Sequence, residues 1–267
     1  YQIYWDGSQT SLLDSYSGSA AAYSLRALSS AYTGALVEVR RASDNATIDV
    51  YAKYDGTLNV DALESFCSGT NGFVTTWYDQ SGNGYDASQT TAANQPQIVS
   101  SGSVITENGN ASILFDGTDD NFLSSLTINS DFSGFAVATS NEINRCDILR
   151  GGSSTAFLAG SANDDHIYRI RTNTSNVNYY NMDLLQHLHT WINDSSTTYG
   201  AIDDDTFLST ADTAINQTSL YIGGDTSVSS STFMWKGTMQ EILIYTSDQS
   251  SNRTGISDNI NDFYSIY

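Results

Sequence analysis

Proline is nearly absent from this chain: Pro96 is the only one in 267 residues. No stretch reads as a linker of low complexity, so residues 1–267 are read as one domain. Basic residues are scarce too, with 10 Lys and Arg against 30 Asp and Glu, for a net charge of -20. A field this negative repels phosphate backbones and anionic lipid, which excludes nucleic acid as a partner. No apolar run reaches the roughly 18 residues that a membrane-spanning helix needs, so membrane insertion is excluded. Glutamate is confined to Glu38, Glu64, Glu107, Glu142 and Glu241. The remaining acid is aspartate, which prefers turns and caps, so the negative charge is expected in loops. Cys67 and Cys146 are the only cysteines; they permit one disulfide without requiring it. His187 and His189 share a strand face by spacing, but no supporting ligand completes a zinc set. There is no G-x-S-x-G elbow, and the glycine-rich stretches lack the lysine and the following helix of a phosphate loop. The chain opens at Tyr1, not at a methionine, and is read as a processed product.

What the chain does contain is alternation. Short segments of period two, such as "ALVEVRR", "GFVTTWY", "SILFDG", "SGFAVAT", "CDILRG", "HLHTWIND", "TFMWKG" and "MQEILIYT", are separated by clusters of Gly, Asn, Asp and Ser. Many short strands divided by turn signals indicate an all-β, two-sheet antiparallel sandwich of the jelly-roll kind. Three helices are predicted beside it. "SAAAYSLRALSSAY" places Leu25, Leu28 and Tyr32 on one face, with Gly34 ending it. "NVDALESFC" groups Leu63, Phe66 and Cys67 behind an Asn59 cap. The C-terminal stretch carries Ile256, Ile260, Phe263 and Tyr264 as a stripe to dock on the sandwich. The loop "WYDQSGNGYDASQ" reads mainly as a structural clamp, in which Asp79, Ser81 and Asn83 satisfy backbone groups.

Candidate sites follow from residue type. Hard oxygen ligands cluster in "DGTDDN" (Asp116, Asp119, Asp120) and "IDDDT" (Asp203, Asp205), as a structural calcium would need, although neither has EF-hand spacing. The alternative is turn chemistry through Asx hydrogen bonds. No other cofactor is required. Trp77, Trp191 and Trp235 are candidate sugar platforms, since an indole offers a flat apolar face and a polar edge. Asp79 is a candidate polar contact beside Trp77. A retaining glycosidase needs two carboxyls about 5–5.5 Å apart, and with so many aspartates sequence proximity selects no pair.

"YSLRALSSAYTGALVEVRRASDN", "CSGTNGFVTTWYDQSGNGYDASQ" and "SLYIGGDTS" together resemble the catalytic β-sandwich of the α-L-arabinofuranosidase B family. "FMWKGTMQEILIY" and "INDFYSIY" resemble the close of laminin-G-like, concanavalin A-like modules. The resemblance implies a lectin/glucanase-type jelly roll and a glycan or polysaccharide ligand. It also implies that Asp225, in Gly223–Gly224–Asp225, occupies the place of the family's general acid, with Gly224 beside it in the sugar site. The departures are as specific. Thr155 stands where the family's nucleophilic glutamate is expected, and no glutamate lies between Glu142 and Glu241. The family's vicinal cysteine pair is reduced to Cys146. The second cysteine after Cys67 is missing, with Gly72 near its place. Without its nucleophile a double displacement loses orders of magnitude in rate. The reading drawn is a non-catalytic carbohydrate-binding or adhesion module on an extracellular or virion surface, assembled into a larger structure. The alternatives are a divergent retaining exo-glycosidase, with Asp147 or Asp164 replacing the nucleophile, and a purely structural surface protein.

Overall fold

The computed structural model describes residues 11–267 except 130, 143–145, 153–157, 162–166, 172–175, 181–182, 212–216 and 225–233. For the strands Leu158–Ser161, Ile167–Arg171 and Asn176–Tyr180 only backbone pairing is described. Antiparallel pairing links nearly every strand, and the strands lie in two facing sheets, a β-sandwich. The first is built on the last strand, Lys236–Tyr245. One side of it pairs with Phe132–Ser140; the other pairs with Ala21–Ser24 and Ile113–Asp116, laid end to end. Gln186–Asn193, Thr197–Ile202 and Leu208–Ala211 extend the sheet beyond Phe132–Ser140. The second sheet runs Thr47–Val50, Val37–Arg41, Gly72–Trp77, Ala87–Ser88, Phe122–Ser124, Leu220–Ile222 and Cys146–Gly151. The three backbone-only strands continue it. Gln97–Ser100 pairs with both Gly72–Trp77 and Ile113–Asp116 and so joins the sheets.

The last strand, read from the sequence as an alternation, is apolar at every position from Ile242 to Tyr245. Ile242 and Ile244 enter the core between the sheets, with Tyr23, Ala136 and Trp191. Leu243 and Tyr245 point the other way, into a second cluster with Phe135, Val137 and Leu188. That outer face is covered by a short helix, Leu12–Ser15, and by the C-terminal helix Arg253–Tyr264. Ile256, Ile260 and Tyr264 are the helix residues it buries, which is the stripe read from the sequence; Phe263 packs at its margin. A strand buried on both faces favours apolar side chains at successive positions, and its buried Glu241 is compensated by Arg26.

The helix expected over "SAAAYSLRALSSAY" does not form. Ala21–Ser24 is a fully buried strand, in register with Glu241–Ile244. Pairing with the central strand overrides the helix propensity of its alanines, because tertiary context outweighs local preference. Leu25 and Leu28 are buried all the same. Val60–Cys67 is helical as expected, with Asn59 accepting a bond from Ala62 N at 3.1 Å. Of the strand expected at "TFMWKG", Thr232 and Phe233 lie outside the described residues and the described strand begins at Lys236, while Asn176–Tyr180 and Leu208–Ala211 are strands the pattern did not mark. Among the described residues no helix is long and apolar enough to cross a membrane. Cys67 and Cys146 are buried and not joined in a disulfide.

Candidate functional site

Cys146, Ile148 and Leu149 of the Cys146–Gly151 strand enter the core. Asp147 and Arg150 are therefore left on the opposite, outer face of the second sheet. A regular strand sends residues three apart to opposite faces. Here the register against the next strand shifts between Asp147 and Leu149, and the extra residue of a bulge turns both side chains the same way. Arg150 Nη1 then donates to Asp147 Oδ2 at 3.0 Å. The Asp147 side chain is 2% exposed and that of Arg150 11%. A carboxylate this deep needs a counter-charge, and the guanidinium supplies it.

The neighbouring strand, Leu220–Ile222, carries the chain into Gly223 and Gly224. Gly223 N donates to Ile148 O, and Trp235 N donates to Gly223 O, both at 2.9 Å. Both glycines lie in the left-handed region, at φ 86° and 110°. A side chain at Gly223 would also strike the Phe115 ring and the carbonyl of Asp120, so the segment is glycine for steric as well as conformational reasons. Leu149 sits opposite Ile222, and the bond from Gly223 N to Ile148 O brings the glycine segment beside the residue that follows Asp147. The following residue, Asp225, lies outside the described residues, as do Thr155 and Asp164.

On the other side of Gly223 is the turn after Ile113–Asp116. Carboxylate oxygens of Asp116, Asp119 and Asp120 come within 4.8 Å of one another. Asp120 Oδ2 accepts from Asp116 N at 2.9 Å, and Asp116 Oδ1 accepts from Thr118 N at 2.7 Å. Burial, followed by the nearby charges of Asp116 and Asp119, pushes the Asp120 carboxyl up to about 7. Of the expected calcium ligands, Asp203 and Asp205 are not in this cluster. Asp203 instead holds His187 Nδ1 at 2.8 Å and Leu188 N at 2.9 Å, while the Asp205 carbonyl accepts from Arg253. His187 also meets Asp183, and these two carboxylates raise its pKa against the opposing effect of burial.

The three candidate sugar platforms require correction. Trp77, Trp191 and Trp235 are completely buried in the core and offer no ring face to a ligand. Trp77 and Trp191 take inward positions of their strands, and Trp235 enters the core just before the strand that begins at Lys236; the local pattern could not distinguish inward from outward. Asp79 is also occupied: it accepts from Ala22 N, Ser81 N, Ser81 Oγ and Tyr85 N. It is the clamp of its loop and has no capacity left for a sugar. The residue that sequence reasoning missed is Arg150. Its signal was present in "CDILR", but the i, i+3 spacing becomes a pair only because of the bulge.

Comparison with known proteins falls in line with this geometry. The family model for "Alpha-L-arabinofuranosidase B, catalytic" matches residues 14–137. An α-L-arabinofuranosidase of Hypocrea jecorina is 46% identical over 70 residues, covering 26% of this chain and 14% of that protein. α-L-Arabinofuranosidase B of Penicillium canescens is 45% identical over 65 residues, again 14% of its length. The chain thus aligns with only a small part of the curated relatives. A glycoside hydrolase family 54 α-L-arabinofuranosidase, solved after soaking with a cyclic sulfate inhibitor, superposes with a TM-score of 0.73 at 18% identity. That match covers 93% of this chain and 64% of the other. The chain therefore resembles α-L-arabinofuranosidase B catalytic domains and has a glycoside-hydrolase-like β-sandwich. These findings overturn the expectation of a non-catalytic adhesion module, because the matched family model is a catalytic domain and the relatives are enzymes. None of them is a virion or fibre protein.

Proposed function

We propose, from this likeness, that the chain is a retaining glycoside hydrolase of the α-L-arabinofuranosidase type, acting outside the cell on arabinofuranosyl groups of a polysaccharide. The observation that carries the reading is the buried Asp147–Arg150 pair, on the outer face of the sheet and beside the strand that runs into Gly223 and Gly224. A buried charged pair outside the hydrophobic core is costly to maintain, and such pairs concentrate at functional sites. With Thr155 at the expected nucleophile position, the nucleophile is Asp147. Arg150 positions its carboxylate and balances its charge. Asp225 is the general acid that protonates the leaving oxygen; once the glycosyl–Asp147 ester has formed, it activates water to cleave that ester. The flanking glycines let backbone approach the substrate closely.

The test is release of nitrophenol from 4-nitrophenyl α-L-arabinofuranoside by the wild type, Asp147→Asn and Asp225→Asn. Each substitution is expected to lower kcat by about a thousandfold or more. Arg150→Lys is expected to cost less, since it keeps the charge and loses the planar fork. An inert wild type, or full activity in Asp147→Asn, overturns the assignment.

A further inference from the structure

The two sheets differ in what covers them. The outer face of the first lies under both terminal helices, whereas no helix of the described residues packs on the outer face of the second. On that face one row of side chains runs straight across six strands. Glu38 is opposite Thr76, Thr76 opposite Ser88, Ser88 opposite Leu123, Leu123 opposite Tyr221, and Tyr221 opposite Arg150. Directly opposed residues point to the same face. Of the residues flanking this row, Val37, Trp77, Ala87, Phe122, Ile222 and Leu149 are in the core, so the row itself faces outward; Thr75, the extra residue beside Thr76, donates to the Glu38 carboxylate. Five strand spacings make it about 24 Å long.

Its composition is selective. Charge occurs only at the two ends, in Glu38 and Arg150. Between them are small hydroxyls, a leucine and a tyrosine. Leu123 is 43% exposed in the middle of a sheet and Ser88 is exposed, while Thr76 and Tyr221 are half-buried. Short side chains allow an extended ligand to lie close to the sheet. Leu123 offers apolar surface to the C–H face of a sugar ring, and the hydroxyls of Thr76 and Ser88 offer hydrogen bonds to its edge. The row ends at Arg150, the partner of Asp147. The net charge of -20 disfavours a polyanion.

We propose that this row is a track for the main chain of a neutral polysaccharide, which it leads to the Asp147–Arg150 site. The choice of polymer rests on the function proposed above; the binding face does not. The experiment compares wild type with the surface variants Leu123→Asp and Thr76→Glu, after thermal melts confirm that both remain folded. Migration is measured in native gels cast with soluble arabinoxylan or with polygalacturonate, and kinetics on arabinoxylan and on the aryl arabinofuranoside. Arabinoxylan is expected to retard the wild type and polygalacturonate to leave it unaffected. Both variants are expected to lose the retardation and to show KM on arabinoxylan about tenfold higher, equivalent to roughly 1.4 kcal/mol of binding, with kcat/KM on the aryl substrate within about twofold of the wild type. Equal retardation of variants and wild type, no retardation of any, or equal retardation by polygalacturonate overturns the track. Retardation that the variants lose, in a protein inert on every arabinofuranoside, sustains the track and sinks the catalytic reading.

Discussion

Asp120 shows how little of a residue's chemistry is contained in its identity. In the sequence it is one acid among several in a turn. In the fold it is buried against Asp116 and Asp119, and its carboxyl is pushed up to about 7. The unfolded chain holds this group near 3.9. Between pH 4 and 7 the native state therefore binds more protons than the unfolded state, and stability falls as pH rises through that window. The cost is fully present above about pH 7. Asp120→Asn keeps an oxygen to accept from Asp116 N and removes the charge. Thermal melts from pH 4 to 8 are expected to show no gain at pH 4 and a gain of roughly 4 kcal/mol at pH 8. A gain that does not vary with pH sinks the explanation. Asp147 is the complementary case. Its burial depends on Arg150 being turned towards it, and the bulge that does so leaves no mark in the spacing.

Two elements are held by contacts that can be broken singly. Phe132–Ser140 and Gln186–Asn193 pair with Gly134 opposite Trp191, and any side chain on Gly134 would fall inside the indole. Gly134→Ala is expected to cost about 1–3 kcal/mol by overpacking, read by urea unfolding with tryptophan fluorescence as the probe. The C-terminal helix is anchored over a buried pair. Arg26 Nε donates to Glu241 Oε2 at 2.7 Å, Arg26 Nη2 donates to Asn259 Oδ1 at 3.0 Å, and Tyr264 OH donates to Glu241 Oε2 at 3.2 Å. Arg26→Met strands the carboxylate of Glu241 and is expected to cost about 3–5 kcal/mol. The double variant Arg26→Met with Glu241→Leu is expected to recover most of that loss. Equal instability in the single and double variants would show that the charge is not the cause. At this scale the sequence was partly legible. The helices at Val60–Cys67 and Arg253–Tyr264 announced themselves through a cap and a stripe. Ala21–Ser24 did not, because its partner is more than two hundred residues away.

Across the whole molecule the dominant long-range term is charge. A net charge of -20 repels itself more in the compact state than in the unfolded one. Added sodium chloride shortens the screening length from about 10 Å at 0.1 M to about 3 Å at 1 M, so the thermal midpoint is expected to rise with salt over that range. A midpoint that falls would place the charge in local pairs and not in a general field. The sequence by itself determined the sandwich, through its period-two segments and turn residues, because those signals act between neighbours along the chain. It also carried the resemblance to a catalytic domain, in stretches where local geometry demands particular residues. Only the tertiary structure decided which face of each strand meets the core. A one-residue bulge reverses that choice, and opposing sheets settle it by what they can bury. That decision moved Trp77, Trp191 and Trp235 out of the site and Arg150 into it.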